Sequence, residues 1–232
     1  MGYETLLRLS LIPTCTLFIL SLVSIILHAH YWILGDWILA KWLKVILPDR
    51  SSVDIILDYV GEPTDATITG QTLSLAAGVM AFVAWYKLRR SDMDMNYNDT
   101  RRRFYTGFTI FLALAGFCSA LAGLILHFTK LGDGDDYDGC SSQFRETEFW
   151  IVWCTREKGA CNVSKKWQDG TDKAWSANIA CSEALAVKWL LLPVMLCNVL
   201  VIVMFAAQAW SRKKTRYQRV PKHGQEKLAS YE

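Results

Sequence analysis

The chain has 232 residues, 52% of them hydrophobic and 20% charged, with 25 Lys and Arg against 22 Asp and Glu for a formal charge of +3. Only 14 Gly and 5 Pro exclude a collagen-like chain, the apolar content excludes disorder, and the near balance of charge speaks against nucleic acid as a partner. The averages conceal four windows of about twenty apolar residues almost without charge, which excludes a soluble single domain and marks a multi-span membrane protein.

The windows cover residues 6–27, 66–86, 104–128 and 186–210 of a single four-span membrane domain. Each is long enough to cross a hydrocarbon core of roughly 30 Å as a helix, and none alternates as barrel strands do. The expected fold is an all-α integral membrane protein, a four-helix transmembrane bundle. The first window exceeds the usual apolar region of a signal peptide and runs into His28, Ala29, His30, Tyr31 and Trp32, so it is read as an uncleaved span. Leu6 stands where a myristoylation signal needs Ser or Thr, so no lipid anchor is implied.

Lys and Arg near the membrane set the orientation. The link at 87–103 carries Lys87, Arg89, Arg90, Arg101, Arg102 and Arg103, and the tail at 211–232 carries Arg212, Lys213, Lys214, Arg216, Arg219, Lys222 and Lys227. Both are expected in the cytosol, together with both termini. The connections at 28–65 and 129–185 are richer in acids and are expected outside the cell or in a lumen, which places the protein in the plasma membrane or the endomembrane system. Four of the seven cysteines, Cys140, Cys154, Cys161 and Cys181, fall in the second of these, as two disulfides in an oxidising compartment require. Three pairings are open; nesting Cys154–Cys161 within Cys140–Cys181 would staple the base of the loop. Cys15, Cys118 and Cys197 lie in spans and are read as packing residues. The sequon Asn162-Val163-Ser164 shares the cysteine-bearing loop and is the expected glycosylation site, whereas Asn98-Asp99-Thr100 lies in the basic link.

Between residues 31 and 47 a helical projection puts Asp36, Lys41 and Lys44 opposite Trp32, Ile38, Leu39, Trp42, Val45 and Ile46. This predicts an amphipathic helix in the interface. As a fifth span it would bury three charges at roughly 2.5–3.5 kcal/mol each. Gly70, Ser74 and Gly78 in the second window, and Ala115, Ser119 and Gly123 in the third, make two flat faces for close helix approach. Packing within the bundle is the simpler use of these faces, and oligomerisation the other.

Candidates for chemistry are few. Asn198, shortly after Pro193, is the intramembrane polar residue best placed for a ligand, although hydrogen bonding to a neighbouring helix is its commoner role. His28, His30 and His127 share one depth without any spacing that fixes a metal, and the acidic run at 133–139 departs from an EF-hand at Tyr137 and Asp138. No metal, cofactor or enzymatic activity is expected, since no Gly-x-Ser-x-Gly, His-Glu-x-x-His or phosphate-cradling loop is present. In the tail, Tyr217-Gln218-Arg219-Val220 fits a tyrosine-based sorting signal at Tyr217 and Val220, and the surrounding cations would attract anionic inner-leaflet lipid at about 1 kcal/mol each.

Four spans, a smaller first outer connection and a larger cysteine-bearing second one resemble the tetraspanins, membrane organisers that hold partner proteins laterally. The resemblance covers the whole chain by topology alone: Gly139-Cys140-Ser141 replaces the Cys-Cys-Gly motif, and the family's acidic residues in spans three and four have no counterpart. Claudin-like proteins carry their large loop between the first two spans and fit less well. The stretch from Cys154-Thr155-Arg156-Glu157 to Cys161 is similar to fungal four-span proteins to which no activity is attached. The sequence therefore points to a membrane organiser or recognition scaffold that uses its disulfide-bonded outer loop on other membrane proteins, with oligomers possible. The alternative is a small-solute transporter or channel subunit using Pro193 and Asn198.

Overall fold

A computed structural model describes residues 3–38, 42–46, 52–89, 98–129, 140–145, 149–165 and 174–219. Three of the four apolar windows each lie within one long helix, and the first runs through two helices in succession. Helices α1 (Tyr3–Leu9) and α2 (Leu11–Ile33) form one rod interrupted at Ser10. The interruption has a cause in Pro13, which has no N–H for the carbonyl four residues earlier and crowds it with its ring. Helix α3 (Glu62–Leu88) begins with Pro63 in its first turn and with Glu62 and Asp65 against the positive end of the helix dipole. Helix α4 spans Asp99–Thr129. Two short segments follow in sequence, α5 (Arg156–Lys158) and a π-helical turn (Gly159–Ser164), before α6 (Ala174–Arg219) completes the set. At 46 residues α6 is about 70 Å long, more than twice the hydrocarbon thickness, so it projects beyond the membrane.

Helix α2 packs on α3 and α6, and α4 packs on the same two, giving a square bundle in which neighbours in sequence are neighbours in space. Its outer surface displays Ile12, Ile19 and Ile26 of α2, Phe104 and Phe111 of α4, and Leu196 and Val203 of α6. Its interior holds Ser21, Ser24, Gln71, Ser74 and Asn198, all fully buried. Water could not stabilise such an arrangement, because the exposed apolar area far exceeds what a soluble monomer tolerates. Hydrocarbon can: the four helices are long and apolar enough to cross a membrane, and a polar interior is then no anomaly.

The tightest contact joins α3 to α4. A Cβ added to Gly70 would stand 2.6 Å from the Ala120 backbone nitrogen and 2.9 Å from its Cα, while Gly116 and Gly123 lie equally close to Ser74 and Thr67. Gly70, Ser74 and Gly78 are all buried, the first two against α4 and Gly78 against Phe18 of α2. On α4 the buried row is Ala113, Gly116, Ala120 and Gly123, so Ala115 and Ser119 sit half-exposed beside the contact. Gly70→Ala is accordingly expected to push the two backbones apart and cost about 1–3 kcal/mol, read as a lower unfolding midpoint in detergent. Gly107→Ala, whose Cβ would meet nothing within 4 Å, should leave that midpoint unchanged.

Over one end of the bundle lies a cap built around a β-sheet. The described residues of the 31–47 stretch do not form an interfacial helix: α2 carries Tyr31–Ile33, a π-helical turn follows at Leu34–Ile38, and Trp42–Ile46 is strand β1. Strands β2 (Ser52–Val60), β3 (Ser141–Arg145) and β4 (Phe149–Thr155) complete a four-stranded sheet in the order β1-β2-β4-β3. Its outer pairs are antiparallel, and the central pair is parallel, with Ile55 opposite Trp150 and Val60 opposite Thr155. The connections at 28–65 and 129–185 are therefore joined through a shared sheet. One face of it is a small core of Ile55, Leu57, Val152 and Cys154 together with Cys140 and Val163.

The disulfides are sequential, not nested: Cys140 pairs with Cys154 and Cys161 with Cys181. The first crosslinks β4 to the residue preceding β3. The second ties the π-helical turn to α6. Cys15 and Cys118 face outward from the bundle, and Cys197 is buried in it.

Candidate functional site beneath the cap

Polar groups concentrate where the cap meets the helices, and short α5 supplies two of the most important. Thr155 caps α5, its hydroxyl accepting from the Lys158 backbone N–H, and this turn directs Arg156 and Glu157 down onto the bundle. Arg156 donates to Asp36 at 3.0 Å, and its guanidinium lies 5.7 Å from the centre of the Trp32 ring and 5.1 Å from that of Tyr59. Two aromatic faces and a carboxylate thus hold one cation with little water. Burial pushes the Tyr59 phenol up to about 12, against the opposing pull of Arg156. The Tyr59 ring also lies over Gly159, where a Cβ would come within 2.5 Å of it.

Glu157 is the second contact. Its carboxylate accepts two bonds from Lys188 of α6, at 2.9 and 3.1 Å, and stands 3.7 Å from His127 Nδ1 of α4. The Lys188 ammonium also sits 4.6 Å from the centre of the Phe128 ring. His127 in turn meets Thr67 of α3 at 3.3 Å. The Thr67 hydroxyl already donates to the Pro63 carbonyl, so His127 Nε2 is the donor in that contact. Cap, α3, α4 and α6 are thereby joined through one carboxylate and one imidazole.

The three histidines do not converge. His28 points inward beside the Tyr31 hydroxyl at 3.3 Å, His30 binds both oxygens of Glu183 on α6 at 2.8 Å, and His127 belongs to the Glu157 cluster. Among the described residues no three His, Cys, Asp or Glu side chains are placed to hold a metal ion. The acidic run at 133–139 lies outside the described residues.

Deeper in the bundle, Asn198 donates to Ser74 at 2.8 Å and to the Val194 carbonyl at 3.1 Å, and Gln71 donates to Ser24 at 2.5 Å. Asn198 Oδ1, Gln71 Oε1 and Ser21 Oγ are buried without a protein partner. Asn198 stands out in the sequence as an intramembrane polar residue, and Gln71 joins it only in the structure. The signal was there in Thr67, Gln71 and Ser74, a polar row at helical spacing along the face that also carries Gly70 and Gly78.

Of the remaining candidates, Asn162 is half-buried in the π-helical turn, and Ser164, the hydroxyl residue of its sequon, is fully buried. Asn98 is buried at the opposite end of the bundle. Tyr217 falls in the last turns of α6, and Val220 lies outside the described residues. Arg212 is not a solvated tail cation: it is buried and donates to the Leu88 carbonyl at 2.8 Å, closing the end of α3.

These features define a multi-span helical membrane protein whose four-helix bundle carries a cap stapled by two disulfides and latched by buried ion pairs. Comparison of the chain with family models, with curated proteins and with solved structures gives no match in any of the three.

Proposed function

We propose that the protein is a non-enzymatic membrane organiser or recognition scaffold, which presents its cap outside the cell or in a lumen and keeps both termini in the cytosol. The observation that carries this reading is the construction of the cap. A mixed sheet drawn from both outer connections, two disulfides and the Arg156 and Glu157 latches give a surface held in fixed register to the helices, as recognition of a partner requires. The partners are other membrane proteins, and the tetraspanin-like topology supports lateral association. A glycan on Asn162, anionic inner-leaflet lipid around the basic tail, and a sorting signal at Tyr217 and Val220 fit the same orientation.

The test is site-specific photocrosslinking in cells. Probes on the exposed cap residues Ser141 and Gln143 should give discrete adducts with partner proteins. Probes on lipid-facing Ile19 and Val203 should not. Adducts confined to the lipid-facing positions would reject the cap as the recognition surface. Orientation is read separately: the glycosidase-sensitive mass should disappear in Asn162→Gln and persist in Asn98→Gln. Because Ser164 is buried in the folded cap, the glycan must be attached before the cap closes.

One observation favours a second reading, a small-solute transporter or channel subunit. Asn198 Oδ1, Gln71 Oε1 and Ser21 Oγ are unpartnered acceptors inside the bundle, as a permeating polar solute would use. Loss of solute flux in Asn198→Leu, with assembly intact, would favour this reading over the scaffold.

A further inference from the structure

We infer that a cavity at the end of the bundle opposite the cap binds the phosphate headgroup of an anionic phospholipid. The cavity has a volume of about 660 Å³ and lies between the start of α4 and the end of α6, beside the last residue of α3. Its volume falls in the range of small-ligand sites, roughly 300–1,000 Å³. Four cations line it, Arg102 and Arg103 of α4 with Arg212 and Lys213 of α6, against the single carboxylate of Asp99.

Asp99 organises this charge more than it cancels it. It pairs with Arg102, one helical turn on, which is largely buried, and with the exposed Arg103 at 2.8 Å, so one carboxylate draws two guanidinium groups to the site. Arg212 is held from the other wall by its bond to the Leu88 carbonyl. Three guanidinium groups and one ammonium on two helices, against one carboxylate, are the chemistry that recognises a phosphate ester.

The remaining wall decides between a lipid and a free phosphate. Gly107 and Ile110 line it, and the space where a Gly107 side chain would stand has no atom within 4 Å. On the same helix Phe104, Phe108 and Phe111 are exposed among the residues that face hydrocarbon. The cavity therefore joins a cationic floor to an apolar flank at the boundary of the membrane-spanning windows, where a headgroup and the first part of its acyl chain lie together. A free phosphate would use the cations and leave the apolar wall bare. The site is distinct from the diffuse attraction of the tail, since two of its four cations belong to α4.

The full chain in neutral detergent, examined by native mass spectrometry, tests this. One phosphatidic acid or phosphatidylserine molecule per chain is expected to be retained, phosphatidylcholine is expected to be lost, and inorganic phosphate at equal concentration should not compete. Arg103→Gln with Lys213→Gln should weaken anionic lipid binding about thirtyfold. Gly107→Leu, which fills the cavity and leaves every charge in place, should weaken it roughly tenfold. A photoactivatable phosphatidic acid should label the peptide containing Gly107 in the unmodified chain, a readout that does not depend on any variant folding. Equal retention of phosphatidylcholine, competition by inorganic phosphate, unchanged affinity in a folded Gly107→Leu, or labelling spread evenly over all four helices would each overturn the assignment.

Discussion

Glu157→Gln is expected to undock the cap from the bundle and to lower stability by about 3–5 kcal/mol. The Glu157 side chain is 14% exposed and that of Lys188 11%, so the pair is largely out of water. Removing the carboxylate charge leaves the Lys188 ammonium with a neutral amide oxygen and the Phe128 ring, which do not repay the desolvation of a full charge. His127 loses the anion beside its Nδ1 in the same step. A buried ion pair contributes little net stability against an apolar replacement of similar shape, so Glu157→Gln with Lys188→Met should recover most of the loss. Amide exchange checks the mechanism. Protection in β2 and β4 should fall in the single variant, return in the double, and stay unchanged in the distal halves of α3 and α4. Full protection of β4 in Glu157→Gln would show that the latch does not hold the cap.

The spans were legible because hydrocarbon imposes a length and a composition that no other environment asks for. The cap was not, because its organising contact is non-local: β2 and β4 pair in parallel although a bundle hairpin separates them in sequence. A period-two signal did exist in Asp54, Ile55, Ile56, Leu57 and Asp58, where Ile55 and Leu57 are buried and the two aspartates exposed. Read as acidic charge alone, those two aspartates give no sign of the strand. At 31–47 the helical projection and a strand at Trp42–Ile46 competed over too few residues for periodicity to decide, and pairing with β2 settled the matter. On α3 the residues Gly70, Ser74 and Gly78 are buried, whereas on α4 the buried row of Gly116, Ala120 and Gly123 runs beside Ala115 and Ser119, whose small side chains have the same chemistry. Arg156 and Glu157 were visible only as two charges in a loop, and nothing in their spacing says that Asp36 and Lys188 await them.

The two disulfides have different structural neighbours, and their removal is expected to separate the cap's fold from its docking. Closing loops 14 and 20 residues apart in sequence, each should contribute about 3 kcal/mol through the unfolded state. Cys140→Ser with Cys154→Ser opens the core that β2 and β4 share with Val163, so exchange should rise throughout the sheet. Cys161→Ser with Cys181→Ser leaves that core intact and frees the π-helical turn from α6. The sheet should then keep its protection while the segment from Gly159 to Ser164 and the first turns of α6 lose theirs. The effect of this second variant and that of Glu157→Gln should not be additive, because the ion pair to Lys188 and the crosslink to Cys181 anchor neighbouring residues of the cap to one helix. Pairing itself is checked without mutation. Trypsin sites at Arg145, Arg156, Lys158 and Lys165 place the four cysteines on separate peptides, so a non-reduced digest should contain the Cys140 peptide joined to that of Cys154, and the Cys161 peptide joined to that of Cys181. A Cys154 peptide joined to that of Cys161 would instead restore the nested arrangement and overturn the sequential pairing.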